Sequence, residues 1–395
     1  MPCEHGCNRD TFLCNTCTPD SVYCSGSSLV TCSPDGEVAQ TTACAAGCSD
    51  SPQAHCVHIV PKYLPDVCDA PTANPPIDVM GTAMFDTDLA SACTGGVVAQ
   101  TGGPELCVVR HSAITVHASA MTRFVGSRAI ALVSDADLVV DGWLDVSARM
   151  EKSGPGGGFT ASGGVSNTGS GWGGAGFHTA GGSGGSSTAN GGAGNGGSMS
   201  VDPAALTVLV GGPIAGFVES TSSGGGGGGL TLISCRGAVV VNGTINAGGG
   251  GGYGGAVILT VLIGGTGGGA GGNVVMQGLD VRVTGRLYAN GGSGGAGKPT
   301  NQTKGADGSD GNYNSLTPSP GGAATGTGEG AGGTGGYLNV AGGAGGRYTT
   351  AGTSGGGGGG SVGFFQSYTP AGRPATLSPA QASPAPQPNG MIPTR

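Results

Sequence analysis

The chain has 395 residues, of which 89 are glycine and 23 proline; only 10% are charged, and the net charge is −8. Disordered chains are rich in charge and poor in apolar residues, whereas 37% of this chain is hydrophobic, so the composition excludes a solvated coil. The acidic balance and the lack of any Lys/Arg cluster exclude a nucleic-acid binder, and no apolar run is long enough to span a bilayer.

Residues 1–57 form a cysteine-rich module holding Cys3, Cys7, Cys14, Cys17, Cys24, Cys32, Cys44, Cys48 and Cys56. Residues 29–31 read as a short strand, and Ser33-Pro34-Asp35-Gly36 as a turn, with proline presetting φ and glycine supplying positive φ. Residues 38–42 return as a second strand. A connecting segment, 58–108, adds Cys68, Cys93 and Cys107. Such cysteine density reads as a disulfide framework made in an oxidising compartment. Cys3, Cys7, Cys14 and Cys17 also fit a four-thiolate zinc site, but the surrounding cysteines favour disulfides. Thirteen is an odd number, and Cys235, alone in the later chain, is the expected free thiol. Residues 1–20 do not read as a signal peptide, so an exported protein is expected as a mature or trimmed form.

The body, 109–369, alternates short strands with glycine. Strand periodicity appears at Ile114, Val116 and Ala118, at Ile130 and Leu132, and at Leu138 and Val140. Three copies of a repeat then align: Val139-Val140-Asp141-Gly142-Trp143-Leu144-Asp145-Val146, Val240-Val241-Asn242-Gly243-Thr244-Ile245-Asn246-Ala247, and Arg282-Val283-Thr284-Gly285-Arg286-Leu287-Tyr288-Ala289. Each is preceded by an apolar strand, at 129–134, 230–234 and 273–277, and followed by glycine. Further lone strands are expected at 256–263 and 361–367. Two readings fit the repeat. Asn-Gly between apolar pairs signals a hairpin; a strand, a glycine corner and a second strand also fit one coil of about 20 residues in a β-solenoid, where only neighbouring coils touch. The constant spacing of the preceding strand favours the coil. The glycine runs, including 224–229, 248–252 and 355–360, are expected to pack as extended layers with three residues per turn, backbone bonding to backbone; a flexible linker is the competing account. The tail, 370–395, is rich in Pro, Ala and Ser and is expected to be mobile.

Chemistry is sparse. The six histidines (His5, His55, His58, His111, His117, His178) show no metal-ligand spacing, and no H-E-x-x-H, P-loop or nucleophile elbow occurs. Asp307-Gly308-Ser309-Asp310-Gly311-Asn312 carries enough oxygens for Ca²⁺ but matches no calcium loop; a polar surface loop is expected. Asp86 with Asp88 and Asp135 with Asp137 are paired carboxylates of the kind glycosidases use, though nothing links them to a cleft. Trp172, Phe177, Tyr253, Tyr313, Tyr337 and Tyr348 stud the glycine blocks, to anchor them or to stack on sugars.

The stretch from Ala129 to Val133 with Val140-Asp141-Gly142-Trp143-Leu144-Asp145-Val146, and the two later copies of that repeat, resemble uncharacterised glycine-rich secreted or surface proteins of myxobacterial type. The repeat bears a weaker resemblance to β-helical adhesins. The resemblance implies an exported envelope or extracellular protein and brings no catalytic residue.

The sequence therefore points to an all-β protein: β-solenoid-like strands with glycine-rich, polyglycine-II-like layers, behind a small disulfide-rich module. The expected function is non-catalytic, a structural protein of a cell surface, matrix or filament that self-associates through strand edges. No catalytic residue, cofactor or metal is assigned. An adhesin or glycan-binding module is the alternative, ahead of ice binding or a β-helical polysaccharide enzyme.

Overall fold

A computed structural model describes residues 2–164, 166, 169–186, 192–199, 202, 205–216, 223–258 and 260–395. The chain is nearly all β: among the described residues 3₁₀ helix occurs only at Ala90–Ala92 and at Ala205.

The N-terminal module is a three-stranded antiparallel sheet of Val22–Ser25, Ser28–Cys32 and Val38–Ala43. Its second turn closes where proline and glycine lead one to expect it, the Gly36 amide donating to the Ser33 carbonyl at 3.0 Å with Gly36 at φ +78°. Disulfides Cys17–Cys32, Cys24–Cys48 and Cys44–Cys56 staple it.

The body consists of three sheets, of six, six and seven strands. The first contains Ile77–Val79, Ile114–Val116, Leu138–Val140, Ala238–Val241, Asp280–Val283 and Thr376–Leu377. The second contains Thr82–Asp86, Met121–Val125, Trp143–Asp145, Thr244–Asn246, Arg286–Tyr288 and Gln381–Ser383. The third contains Leu106–His111, Ala129–Ser134, Gly229–Ser234, Asn273–Gln277, Phe364–Thr369 and Gly390–Met391, all parallel, with Gly96–Val98 antiparallel at its edge. The chain visits the sheets in rotation and makes six circuits. Parallel pairing in register stacks like on like: Leu138, Val239 and Val281 lie in one row, Leu144, Ile245 and Leu287 in another, Ile130, Leu230, Val274 and Phe365 in a third. These rows fill one central core.

Parallel sheets are ordinarily covered by helices on both faces. Here a strap, residues 57–76, does that work for the third sheet. Ile59, Leu64 and Cys68 pack on its outer face against Val108, Ala131, Ile233 and Val275. The Ile59 amide donates to the Cys235 carbonyl (3.0 Å), and from Lys62 onward the strap crosses the circuits in reverse order. The amides of His58 and Val60 donate to the carbonyls of Arg395 and Pro393 (both 2.9 Å). The Lys62 amide donates to Gln277 Oε1 (2.7 Å), Cys68 is disulfide-bonded to Cys235, the Thr72 amide donates to Asp135 Oδ2 (2.5 Å), and Asn74 Nδ2 donates to the Arg110 carbonyl (2.9 Å).

Three glycine-rich insertions, 146–228, 247–272 and 289–363, all leave between the second and third sheets. They bond to one another through the backbone. The Gly225 amide donates to Met150, Gly250 to Gly225, Gly269 to Gly250, Gly292 to Gly269 and Gly360 to Gly292, at 2.7–2.9 Å. Partners recur every third residue: Gly355, Ser361 and Gly358 donate to Gly169, Ala175 and Trp172. That period is the one of an extended three-residue helix without internal hydrogen bonds. A Cβ on Gly292 would lie 1.9 Å from the Gly250 oxygen, so only glycine permits the approach.

Three expectations are corrected, and the competing hairpin reading falls as well. The β-solenoid-like coil of about 20 residues, touching only its neighbours, is replaced by parallel sheets six to seven strands wide. The insertion of the third circuit also bonds directly to that of the fifth, Gly182 and Gly185 donating to Gly359 and Gly356 (2.8 Å). The Asn-Gly hairpin does not form: Ala238–Val241 and Thr244–Asn246 belong to different sheets, and Gly243 sits at the corner, where a Cβ would meet the Gly142 oxygen at 1.9 Å. The lone strand at 256–263 is an antiparallel hairpin, Ala256–Ile258 with Val261–Ile263, outside the three sheets; Leu259 lies outside the described residues. The tail is not loose: it supplies the last strand of each sheet and pairs with the strap.

Candidate functional site

The cysteines pair as six disulfides, which marks an oxidising compartment. Cys93 pairs with Cys107 and Cys3 with Cys14. Cys235 is not free: it is buried and bonded to Cys68, because the strap passes over the corner that follows Gly229–Ser234. The free thiol is Cys7, which is exposed. Of the four cysteines that fit a zinc site in sequence, Cys3, Cys14 and Cys17 are spent in the disulfides Cys3–Cys14 and Cys17–Cys32, which leaves only Cys7 as a thiol.

The carboxylates singled out in the sequence stand apart, and each holds backbone. Asp86 caps the Asp88 amide (2.9 Å), and Asp88 takes the Ser127 amide and hydroxyl (2.9 and 2.7 Å). Asp135 binds the Arg110 guanidinium at 2.7 Å and the Thr72 amide, while Asp137 caps Ala238 (2.8 Å). Asp310 accepts from the amides of Met150 and Gly251 (2.7 and 3.0 Å), and Asp307 from Gly254 (2.8 Å) and Lys304 (2.7 Å). Oxygens already facing N–H donors and an ammonium do not form a calcium cage; this loop docks the glycine layer.

At the surface of the same layer, Tyr253 donates its hydroxyl to Glu151, which pushes the tyrosine up to about 12, helped by burial and nearby charge. The same bond pulls the Glu151 carboxyl down. Asp145, fully buried, is held by Arg123 (2.8 Å), Arg149 (3.0 Å), Ser147 (2.6 Å) and Asn246 (2.9 Å).

One cluster was not legible in sequence. The strap brings ligand atoms of His58, Asp66 and Asp69 within 4.8 Å of one another. His58 is buried and its Nε2 faces Asp66 at 3.3 Å. Arg395 also stands 3.9 and 3.8 Å from the two carboxylates, so their charge is already countered.

The aromatics divide. Trp172 is 1% exposed and donates Nε1 to the Ser166 carbonyl (3.0 Å); Phe177 packs edge-on to Phe364 at 4.7 Å; Tyr348 is buried. These anchor the glycine layers and are closed to sugars. Tyr313, 39% exposed, stands 5.5 Å from the ring of Trp143 on the second sheet. A cavity of about 310 Å³ beside the strap is lined by Lys62, Gln366, Ser367, Tyr368 and Gln387. Lys62 there donates to the Tyr368 hydroxyl (3.0 Å) and lies over the rings of Tyr63 and Tyr368. Asp202 lines it as well.

The two ends of the sheets differ most. At the C-terminal end the edge strands have two, three and two residues, interspersed with Pro374, Pro379, Pro384, Pro386 and Pro388. Short strands and proline blunt an edge, and the cysteine module leans there, Arg373 donating to the Ala45 carbonyl (3.2 Å). At the other end, Thr82–Asp86 is bonded on one side only, among the described residues, and its first three residues are exposed. Met84 is 75% and Met80 68% exposed; Leu89 is exposed as well. This open, five-residue edge is the candidate interaction surface.

No protein-family model, curated protein or solved structure matches this chain. No helix among the described residues is long and apolar enough to cross a membrane.

Proposed function

We propose that the protein is an exported, non-catalytic structural component of a cell surface or extracellular matrix, associating with itself through the open edge. The observation that carries this reading is the Thr82–Asp86 strand, bonded on one side only among the described residues, with Met80 and Met84 exposed beside it. The disulfides fit export, and the candidate carboxylates, all engaged in holding backbone, fit a protein built for form. An edge bonds to an incoming strand through its free N–H and C=O groups. Because the opposite end is blunted, edge pairing of two copies is isologous and closes at a dimer; a filament requires a second surface.

Sedimentation across concentration tests this. The expected result is a reversible dimer in the wild type and a monomer for Met84→Lys, which places a charge on the edge without touching the core. A wild type that stays monomeric at the highest soluble concentration overturns the reading. A glycan-binding module is the second reading, favoured by Tyr313 over Trp143; a glycan array on which Tyr313→Ala behaves as the wild type removes it.

A further inference from the structure

The N-terminal lobe holds a third sulfur beside a disulfide. Cys7 Sγ lies 3.1 Å from Cys3 Sγ, and Cys3 is bonded to Cys14. Cys7 and Cys14 are also directly paired through the backbone in an antiparallel bridge, so all three sulfurs share one spot. Cys7 and Cys14 are exposed and Cys3 is half-buried. Cys7 opens onto a shallow cleft of about 310 Å³ that Asn8, Arg9, Asp10 and Asn15 also line. The loop joining the two carries Phe12 and Leu13, 87% and 68% exposed.

We propose that Cys3, Cys7 and Cys14 form a thiol–disulfide exchange site, its free thiol alternating between Cys7 and Cys14. The Cys7 thiol loses its proton to water and the thiolate attacks Cys3 Sγ. A Cys3–Cys7 bond forms, the Cys3–Cys14 bond breaks, and Cys14 leaves as a thiolate that takes a proton from water. One disulfide and one thiol stand on each side, so the step needs no oxidant or reductant. Exchange runs through the thiolate, so it accelerates as pH rises. The other five disulfides take no part; no other free thiol exists among the described residues.

Arg9 lies between Cys7 and Cys14, so trypsin reads the outcome. The whole protein is held without oxygen at pH 5 or pH 8, alkylated with N-ethylmaleimide, and digested without reduction. With Cys3–Cys14 intact, the peptide ending at Arg9 stays cross-linked and the label is on Cys7. After exchange the peptide is released with an internal disulfide and the label is on Cys14. The expected result is release that grows at pH 8 to a constant fraction and proceeds far more slowly at pH 5. Cys7→Ser should show no release and Cys14→Ser complete release. Label confined to Cys7 after prolonged incubation at pH 8, or a Cys14→Ser protein with two free thiols, overturns the proposal. Unchanged circular dichroism of Cys7→Ser, which keeps all six disulfides, shows that the lobe is folded.

Discussion

The three-sheet core and the glycine layer are both largely buried, yet opposite means hold them together. In the core, rows such as Leu144, Ile245 and Leu287 fill space with side chains, and the apolar area removed from water drives packing. In the layer, Gly225, Gly250, Gly269, Gly292 and Gly360 remove side chains altogether, so that backbone reaches backbone. Glycine costs conformational entropy, and the layer offsets it with inter-segment hydrogen bonds that satisfy buried amides. Order without side-chain bulk is thus attainable where segments of one chain lie side by side.

The largest effect is expected at the strap, which covers the third sheet. Replacing both Cys68 and Cys235 by serine reopens a loop of 167 residues, a loss of up to about 5 kcal/mol in the chain-entropy account. Hydrogen exchange should show the third sheet's amides losing protection while the layer's amides keep theirs; equal loss in both would mean that the two regions unfold together. Next comes a reciprocal pair. Leu287→Ala should cost about 2–5 kcal/mol by leaving a cavity. Gly292→Ala should cost about 1–3 kcal/mol by overpacking, since its Cβ would meet only backbone. Gly192→Ala, with open space around it, is the control and should be near neutral. Urea denaturation measures all three, and a harmless Gly292→Ala would break the comparison.

The smallest effect lies at the boundary, where the His178 ring packs at a tilt against Phe364, 4.6 Å between centroids. Burial pushes this imidazole below its ordinary value. The unfolded chain then binds the proton more readily, so the contribution is present above about pH 6.5 and lost as pH falls below it. His178→Gln should flatten stability between pH 5 and pH 8 relative to the wild type, as read from denaturation midpoints.

Local pattern disclosed most strands: alternation marked Ala129–Ser134 and Leu138–Val140, and the repeat marked where each glycine insertion leaves. What it hid is long-range. Asn242-Gly243 looks like a hairpin because the partner of Val240 is Val139, a hundred residues back, and not the strand that follows. Cys235 seemed solitary because its partner is 167 residues away. The proline-rich tail reads as mobile, yet edge strands tolerate proline. His58, Asp66 and Asp69 follow no spacing rule; the winding of the strap alone gathers them. The open edge was legible only as a general property of strands, since its exposure depends on which strand comes first.

The strap has a mechanical meaning. Sheet hydrogen bonds run along the stacking direction, so a pull on the two ends of the stack would load them one rung at a time, like a zipper. The strap, fixed at Arg395, Gln277, Cys235, Asp135 and Arg110, lies along that same direction with a covalent anchor midway. Tension would pass into it as into a stay beside a mast, making the molecule stiffest lengthwise.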